Sequence, residues 1–82
     1  MTPKWNRIRD IVNQRFQRSR NIRNYMNQIE TLYNEELAPL DPILVDKFIE
    51  AAQEDDPPRC KTILTEIERK WYIESYGRKG KQ

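Results

Sequence analysis

The sequence predicts a small all-α protein, a bundle of three or four helices. Glycine is absent before Gly77, and no Asn-Gly or Asp-Gly pair is present to close a tight β-hairpin. Apolar residues recur at steps of three and four instead of alternating. One Thr-Pro pair and two Asp-Pro pairs indicate helix starts, because each places a capping oxygen directly before a proline at the first helical position.

The first half of the chain contains two apolar stripes that do not align with each other. One stripe is formed by Trp5, Ile8, Val12 and Phe16, and the other by Ile22, Met26, Ile29, Tyr33 and Leu37. At about 100° per residue, the second stripe is rotated by nearly one residue from the first. Either a break near Arg18 gives helices over 3–18 and 21–37, or one helix of roughly 35 residues winds to follow both stripes. We favour the break.

The second half predicts a helical hairpin. A helix over 42–54 begins after the Asp41 cap, and Leu40 and Val45 have the spacing of a hydrophobic staple. A longer helix over 57–76 begins after Asp56 and is expected to end at Gly77. The stripes to be buried are Leu44, Val45, Phe48, Ile49 and Ala52 in the first helix, and Cys60, Ile63, Leu64, Ile67 and Trp71 in the second. The chain is therefore expected to form one helical domain over 1–76 with a flexible basic tail over 77–82.

The composition offers little chemistry for catalysis. The 82 residues include no histidine and a single cysteine, Cys60, which excludes a histidine base, a His/Cys metal site and an intramolecular disulfide. Carboxylates such as Asp46 and Glu50 lie on one solvated helix face, without a loop that would make them converge on a metal. We therefore expect a protein that is not an enzyme and uses no cofactor and no metal.

Cys60 has two interpretations. It lies in the first turn of a predicted helix between Arg59 and Lys61, where the positive end of the helix favours a thiolate. However, it also falls in line with Ile63 and Ile67 on the predicted buried stripe, and a buried free cysteine behaves as a small apolar side chain. We favour the second interpretation.

The charges are strongly segregated along the chain. Residues 1–23 carry seven basic side chains and one acidic side chain, whereas residues 41–56 carry six acidic side chains and one basic one. The formal net charge of +2 conceals this asymmetry. Segregation of this kind indicates binding to a charged partner more strongly than the net charge does.

A basic strip runs along one flank of the first predicted helix. It consists of Lys4, Arg7, Arg15 and Arg18, which fall within about 80° of one another on a helical wheel. Arginine at this density suits phosphate or carboxylate, so nucleic acid is a possible ligand. Alternatively, the strip is a solvated face whose charges complement those of the acidic helix, within the same fold or in a neighbouring copy. We favour this interpretation.

A second candidate site lies at the end of the last helix. Tyr72, Ile73 and Tyr76 precede the basic tail and combine apolar area with polar hydroxyls, as protein interfaces do. Tyr25 and Leu32 widen the apolar face of the second stripe, which favours a homodimer. The longest apolar run, Ile43–Val45, is too short for a membrane span and no signal peptide is visible, so we expect a soluble, cytoplasmic protein that does not bind membranes.

Two functions fit these patterns. The favoured one is a small non-catalytic protein-binding module, an adaptor, inhibitor or regulator, that uses the basic strip and the C-terminal aromatic residues to bind a protein partner. The alternative is a regulator that binds the nucleic-acid backbone through the basic strip. No helix-turn-helix or other nucleic-acid signature accompanies the strip, and the nearly balanced overall charge of +2 places the alternative second.

Overall fold

The structure, a computed structural model, describes residues 2–15, 20–35 and 40–79. Within these ranges it contains four helices and no strand, which confirms the predicted small all-α bundle. The helices are α1 (Pro3–Gln14), α2 (Arg20–Glu35), α3 (Pro42–Gln53) and α4 (Pro57–Lys79). Because α1 and α2 are separate helices, the break in the first half is confirmed and the single long helix is wrong. α1 ends at Gln14, earlier than the predicted residue 18.

Three helix starts are capped as predicted. The accepting oxygens are Thr2 Oγ1, Asp41 Oδ1 and Asp56 Oδ1, which receive the backbone N–H groups of Trp5 (3.2 Å), Ile43 (2.9 Å) and Arg59 (3.3 Å). Each such bond satisfies a donor that the first turn of a helix leaves unpaired, and a cap contributes about 1 kcal/mol to stability. The caps therefore determine where α1, α3 and α4 begin.

The predicted stop at Gly77 is wrong, because α4 continues through it to Lys79. A glycine inside a helix costs about 1 kcal/mol relative to alanine but keeps its backbone N–H and C=O available for helical hydrogen bonds. The basic residues Arg78 and Lys79 therefore belong to α4 and not to a tail. The remainder of the predicted tail, 80–82, lies outside the described residues.

The helices form two antiparallel hairpins, α1–α2 and α3–α4. Contacts between facing side chains define their directions: Trp5 with Glu30 and Arg9 with Asn27 in the first hairpin, and Asp41 with Lys70 in the second. The hairpins pack side by side, with α1 against α3 and α2 against α4. The order around the bundle is therefore α1, α2, α4, α3.

All four helices contribute to one buried core. Trp5 and Phe48 are its largest fully buried side chains, and their ring centroids lie 5.8 Å apart, which joins α1 to α3. The five stripe residues predicted for α4 are all buried. The staple residue Leu40 packs against the core, of which Val45 is a member. Phe16 and Leu37, predicted as core residues, lie outside the described residues.

One core prediction in α2 is wrong. Tyr33 was expected on the buried stripe and Leu32 at its edge, but Leu32 is buried and Tyr33 is half exposed. The reason is the limited length of α1. Because α1 and α2 are antiparallel and Trp5 contacts Glu30, Tyr33 lies level with Thr2, directly before the first turn of α1. α1 therefore has no turn beside the Tyr33 ring to cover it.

Candidate functional site

The basic strip of α1 lies along α3 and is partly engaged inside the fold. The Lys4 ammonium is 3.8 Å from the Asp46 carboxylate, and the Arg15 guanidinium donates to the backbone carbonyl of Ala52 at 3.4 Å. The two contacts follow the chain in the same order, so α1 and α3 run parallel. Lys4 therefore pairs with an acidic residue of α3 within one molecule, whereas Arg15 contacts a backbone carbonyl of the same helix. The role of the strip in binding a partner stays a prediction.

The other two strip residues do not share these contacts. Arg7 is exposed and has no carboxylate within ion-pair distance among the described residues. Arg18 lies outside the described residues. The structure therefore places Lys4 and Arg7 on α1 and Arg15 at its C-cap, and it leaves Arg7 open to solvent.

A polar cluster that the sequence did not reveal joins α1 to α2. The Trp5 indole N–H donates to the Glu30 carboxylate at 3.0 Å, and Arg9 forms an ion pair with the same carboxylate. Arg9 also donates to the Asn27 side-chain oxygen at 3.3 Å. Arg9, a third basic residue of the N-terminal segment with an intramolecular partner, thus holds the first hairpin together.

Asp41 ties the start of α3 to α4. One carboxylate oxygen caps α3, and the other lies 2.5 Å from the Lys70 ammonium. The hydrogen bond from Lys70, followed by the N–H of Ile43, lowers the pKa of Asp41 below its ordinary value. Because Lys70 lies beside the start of α3, residues 71–79 of α4 extend beyond α3, by about 13 Å at 1.5 Å per residue.

Exposed apolar side chains gather at this end of the bundle. α1 and α3 begin here, and α2 and α4 end here. The large exposed apolar side chains in the described ranges are Tyr33 (49%), Ile43 (65%), Tyr72 (46%) and Ile73 (64%). Each belongs to a turn at this end, so we call these four residues the terminal patch.

Trp71 lies directly before Tyr72 and is 6% exposed. Its ring packs edge-on against the Tyr72 ring, with centroids 5.0 Å apart. The buried indole N–H has no acceptor among the described residues. Tyr76 continues the helix one turn further, but its side chain lies outside the description, so its predicted role stays a prediction.

Two of the four patch residues were foreseen from the sequence, Tyr72 and Ile73. Tyr33 was missed because its spacing matches the buried stripe of α2. Ile43 lies off the predicted buried stripe of α3, and no role was predicted for it from the sequence. For Tyr33, no sequence signal distinguishes a stripe residue that another helix covers from one that lies beyond the end of its neighbour.

Cys60 is buried, as favoured. Burial raises the pKa of its thiol to about 12, and the negative charge of Asp56 adds to this effect. Loss of hydration therefore outweighs the helix N-terminus and Arg59, which would favour the thiolate. No group of three or more candidate metal ligands occurs among the residues that the structure describes.

None of the helices in the described part of the chain has the length and apolar character required to cross a lipid bilayer. The fold and the site define a small all-α protein built from two helical hairpins, with four exposed apolar side chains at one end. No family model matches the chain, and neither the curated proteins nor the solved structures include a match.

Proposed function

We propose that the protein is a non-catalytic protein-binding module, an adaptor or inhibitor, and that it binds its partner through the terminal patch. The observation that supports this proposal is the gathering of Tyr33, Ile43, Tyr72 and Ile73 at one end of the bundle. Single exposed apolar residues are common on protein surfaces, whereas a group of them in one region is typical of interaction sites.

The chemistry of the patch suits a protein partner. Tyrosine is enriched at interfaces because its ring supplies apolar area while its hydroxyl can form a hydrogen bond at the boundary with water. Isoleucine adds apolar area without a polar group to desolvate. A partner that covers Ile73 and Tyr72 would gain about 25 cal/mol for each Å² of apolar surface removed from water, before the entropy cost of association.

The basic strip contributes less to this proposal than the sequence indicated. Lys4 and Arg15 have intramolecular partners in α3, so a nucleic acid would have to displace them before it could use their charges. Arg7 is the exposed strip residue that is described, and it lies in the second turn of α1, towards the end of the bundle that carries the patch. There it can steer an acidic partner towards the patch.

The test uses the full chain as bait in an extract of the native host. Wild type is compared with Ile73→Glu in the patch and with Gln28→Glu, a matched control that adds the same charge at an exposed position of α2. We expect wild type and Gln28→Glu to recover the same defined protein and Ile73→Glu to lose it. All three should have equal helicity by circular dichroism. Recovery of the same protein by Ile73→Glu, or of no defined protein by wild type, would contradict the proposal.

The nucleic-acid alternative is tested separately by gel shifts at low salt with Arg7→Glu. If the strip binds phosphates, wild type should bind DNA or RNA, and removal of one contact should reduce the slope of log affinity against log salt by about one. We expect wild type to show no shift. Salt-dependent binding that Arg7→Glu weakens would favour the alternative over the terminal patch.

A further inference from the structure

Two opposite sides of α4 differ in burial. The side with Cys60, Ile67 and Trp71 is buried against the rest of the bundle. At about 100° per residue, the opposite side consists of positions whose side chains are all exposed: Pro58, Thr62, Thr65, Glu66, Arg69, Tyr72 and Ile73. We call this set the outer face of α4. α2 and α3 pack against α4 from the buried side, so the outer face is open along its described length.

The outer face differs between its two halves. Its first half carries small residues, including Thr62 and Thr65, and its second half carries the large side chains of Tyr72 and Ile73. Between the halves lie one acidic and one basic residue, Glu66 and Arg69. Both are exposed, and neither forms an ion pair with another described residue. When two copies of this surface face each other in opposite directions, the large side chains of one copy lie over the small residues of the other. The acidic residue of each copy then lies near the basic residue of the other.

We propose that a second copy of the chain covers the outer face, with its α4 packed antiparallel to the first. This inference rests on the proposed function, since it names the partner of Tyr72 and Ile73. When two antiparallel copies of Pro57–Lys79 overlap over their full length, the centre of the contact falls close to residue 68. A centre midway between residues 67 and 68 places Glu66 of each copy opposite Arg69 of the other, which forms two symmetric ion pairs.

The same alignment matches large side chains with small ones. Ile73 lies opposite Thr62 of the second copy, and Tyr72 lies between Lys61 and Thr65 of the second copy. Large residues that pack over small ones allow two helices to approach closely, as in ridges-into-grooves packing. A contact made by one helix from each copy is at the small end of specific interfaces, below about 1,200 Å², so the dimer is expected to be weak and to depend on concentration.

Two charge reversals test this arrangement. Glu66→Arg places arginine opposite Arg69 of the second copy, and Arg69→Glu places two carboxylates opposite each other. We expect each variant alone to raise the dissociation constant of the dimer roughly tenfold, because both symmetric pairs change from attraction to repulsion. An equimolar mixture of the two variants restores opposite charges in both pairs, so the mixture should dimerise about as tightly as wild type.

The readout is the solution mass by sedimentation equilibrium from micromolar to millimolar concentration. A wild type that stays monomeric over this range overturns the inference, and so does a mixture that associates no more tightly than either variant alone. The mixture also excludes an effect within one helix, because mixing cannot repair an intrahelical contact. Circular dichroism of each variant establishes that both are folded.

The failure of this inference and the failure of the proposed function give different results. If wild type is monomeric but Ile73→Glu still loses another protein in the capture experiment, the second copy is wrong and the proposed function stands. If Ile73→Glu changes neither the mass nor the recovered protein, the outer face binds nothing and both proposals fail. If Ile73→Glu dissociates a wild-type dimer, the second copy is supported, and the proposed function is then decided by the capture experiment alone.

Discussion

The turn between α3 and α4 depends on a residue with unusual backbone geometry. Asp55 has a φ of 55°, in the left-handed region that glycine adopts most readily. The turn is closed by two hydrogen bonds of 3.1 Å, from the Asp56 N–H to the Ala51 carbonyl and from the Asp55 N–H to the Ala52 carbonyl. This pattern is a Schellman motif, whose left-handed position is usually occupied by glycine.

The motif predicts how substitutions at Asp55 rank in stability. A residue with a Cβ atom costs roughly 1–2 kcal/mol in the left-handed region, and aspartate reduces this cost through local hydrogen bonds. Alanine has the Cβ atom without those bonds, whereas glycine has neither. We therefore expect Asp55→Gly to be more stable than Asp55→Ala by about 1 kcal/mol, a difference of about 4–8 °C in Tm for a domain of this size.

The matched control is the same pair of substitutions at Lys47, an exposed position inside α3. There the backbone is helical, so glycine should be less stable than alanine by about 0.8–1 kcal/mol. The two sites should thus rank glycine and alanine in opposite order. Urea unfolding followed by circular dichroism measures the free energy of unfolding of all four variants. If Asp55→Ala equals or exceeds Asp55→Gly in stability, the left-handed geometry of this turn does not contribute as described.

Three further predictions concern the core residue Phe48, the Cys60 thiol and the ion pair between Asp41 and Lys70 that joins α3 to α4. Phe48→Ala should lower the free energy of unfolding by about 3–5 kcal/mol, a large share of the total stability of a domain of this size. Phe48→Leu should lose less and retain a cooperative urea transition. Equal urea midpoints for the two variants would contradict the prediction. With its pKa raised to about 12, Cys60 should react with a thiol reagent at pH 8 roughly a thousandfold more slowly in the folded protein than in denaturant, and rapid native labelling would contradict it. Because the folded pKa of Asp41 is lowered, the stability it contributes is present above its ordinary pKa of 3.8 and is lost as the pH falls through the folded value. Asp41→Asn keeps a capping oxygen but removes the ion pair with Lys70, so the stability difference from wild type should narrow as the solution is acidified; a gap that does not change with pH would show that the ion pair contributes nothing.

Local interactions are what the sequence predicts best in this protein. The caps at Thr2, Asp41 and Asp56 act within three residues of the helix start, so residue type and spacing are sufficient to place them. The stripe of α4 repeats with the period of the helix itself, and all five of its residues are buried. Both signals are independent of which helix packs against which.

The contacts between helices could not be predicted in the same way. In the sequence, Glu30 has the pattern of an ordinary surface residue of α2. Only the pairing of α1 with α2 in the first hairpin brings Trp5 and Arg9 into contact with it. The contact of Lys4 with Asp46 likewise requires that α1 and α3 be parallel neighbours. The charge segregation indicated that the basic and acidic segments could contact each other. Composition does not determine which basic side chain pairs with which acidic one, and it does not predict that Arg7 stays exposed.

The exposure of Tyr33 in the terminal patch has a further cause, which is the unequal length of the helices. α1 and α3 have 12 residues each, whereas α2 has 16 and α4 has 23. Tyr33 lies on the predicted buried stripe of α2 but level with the first residues of α1, whereas Tyr72 and Ile73 lie on the outer face of α4, away from the side that packs against the bundle. An apolar pattern reports which side of a helix is suited to burial, but only the length of the neighbouring helix decides whether burial occurs within the same molecule. Where the neighbour ends, the same apolar side chains become the surface that a second molecule can cover.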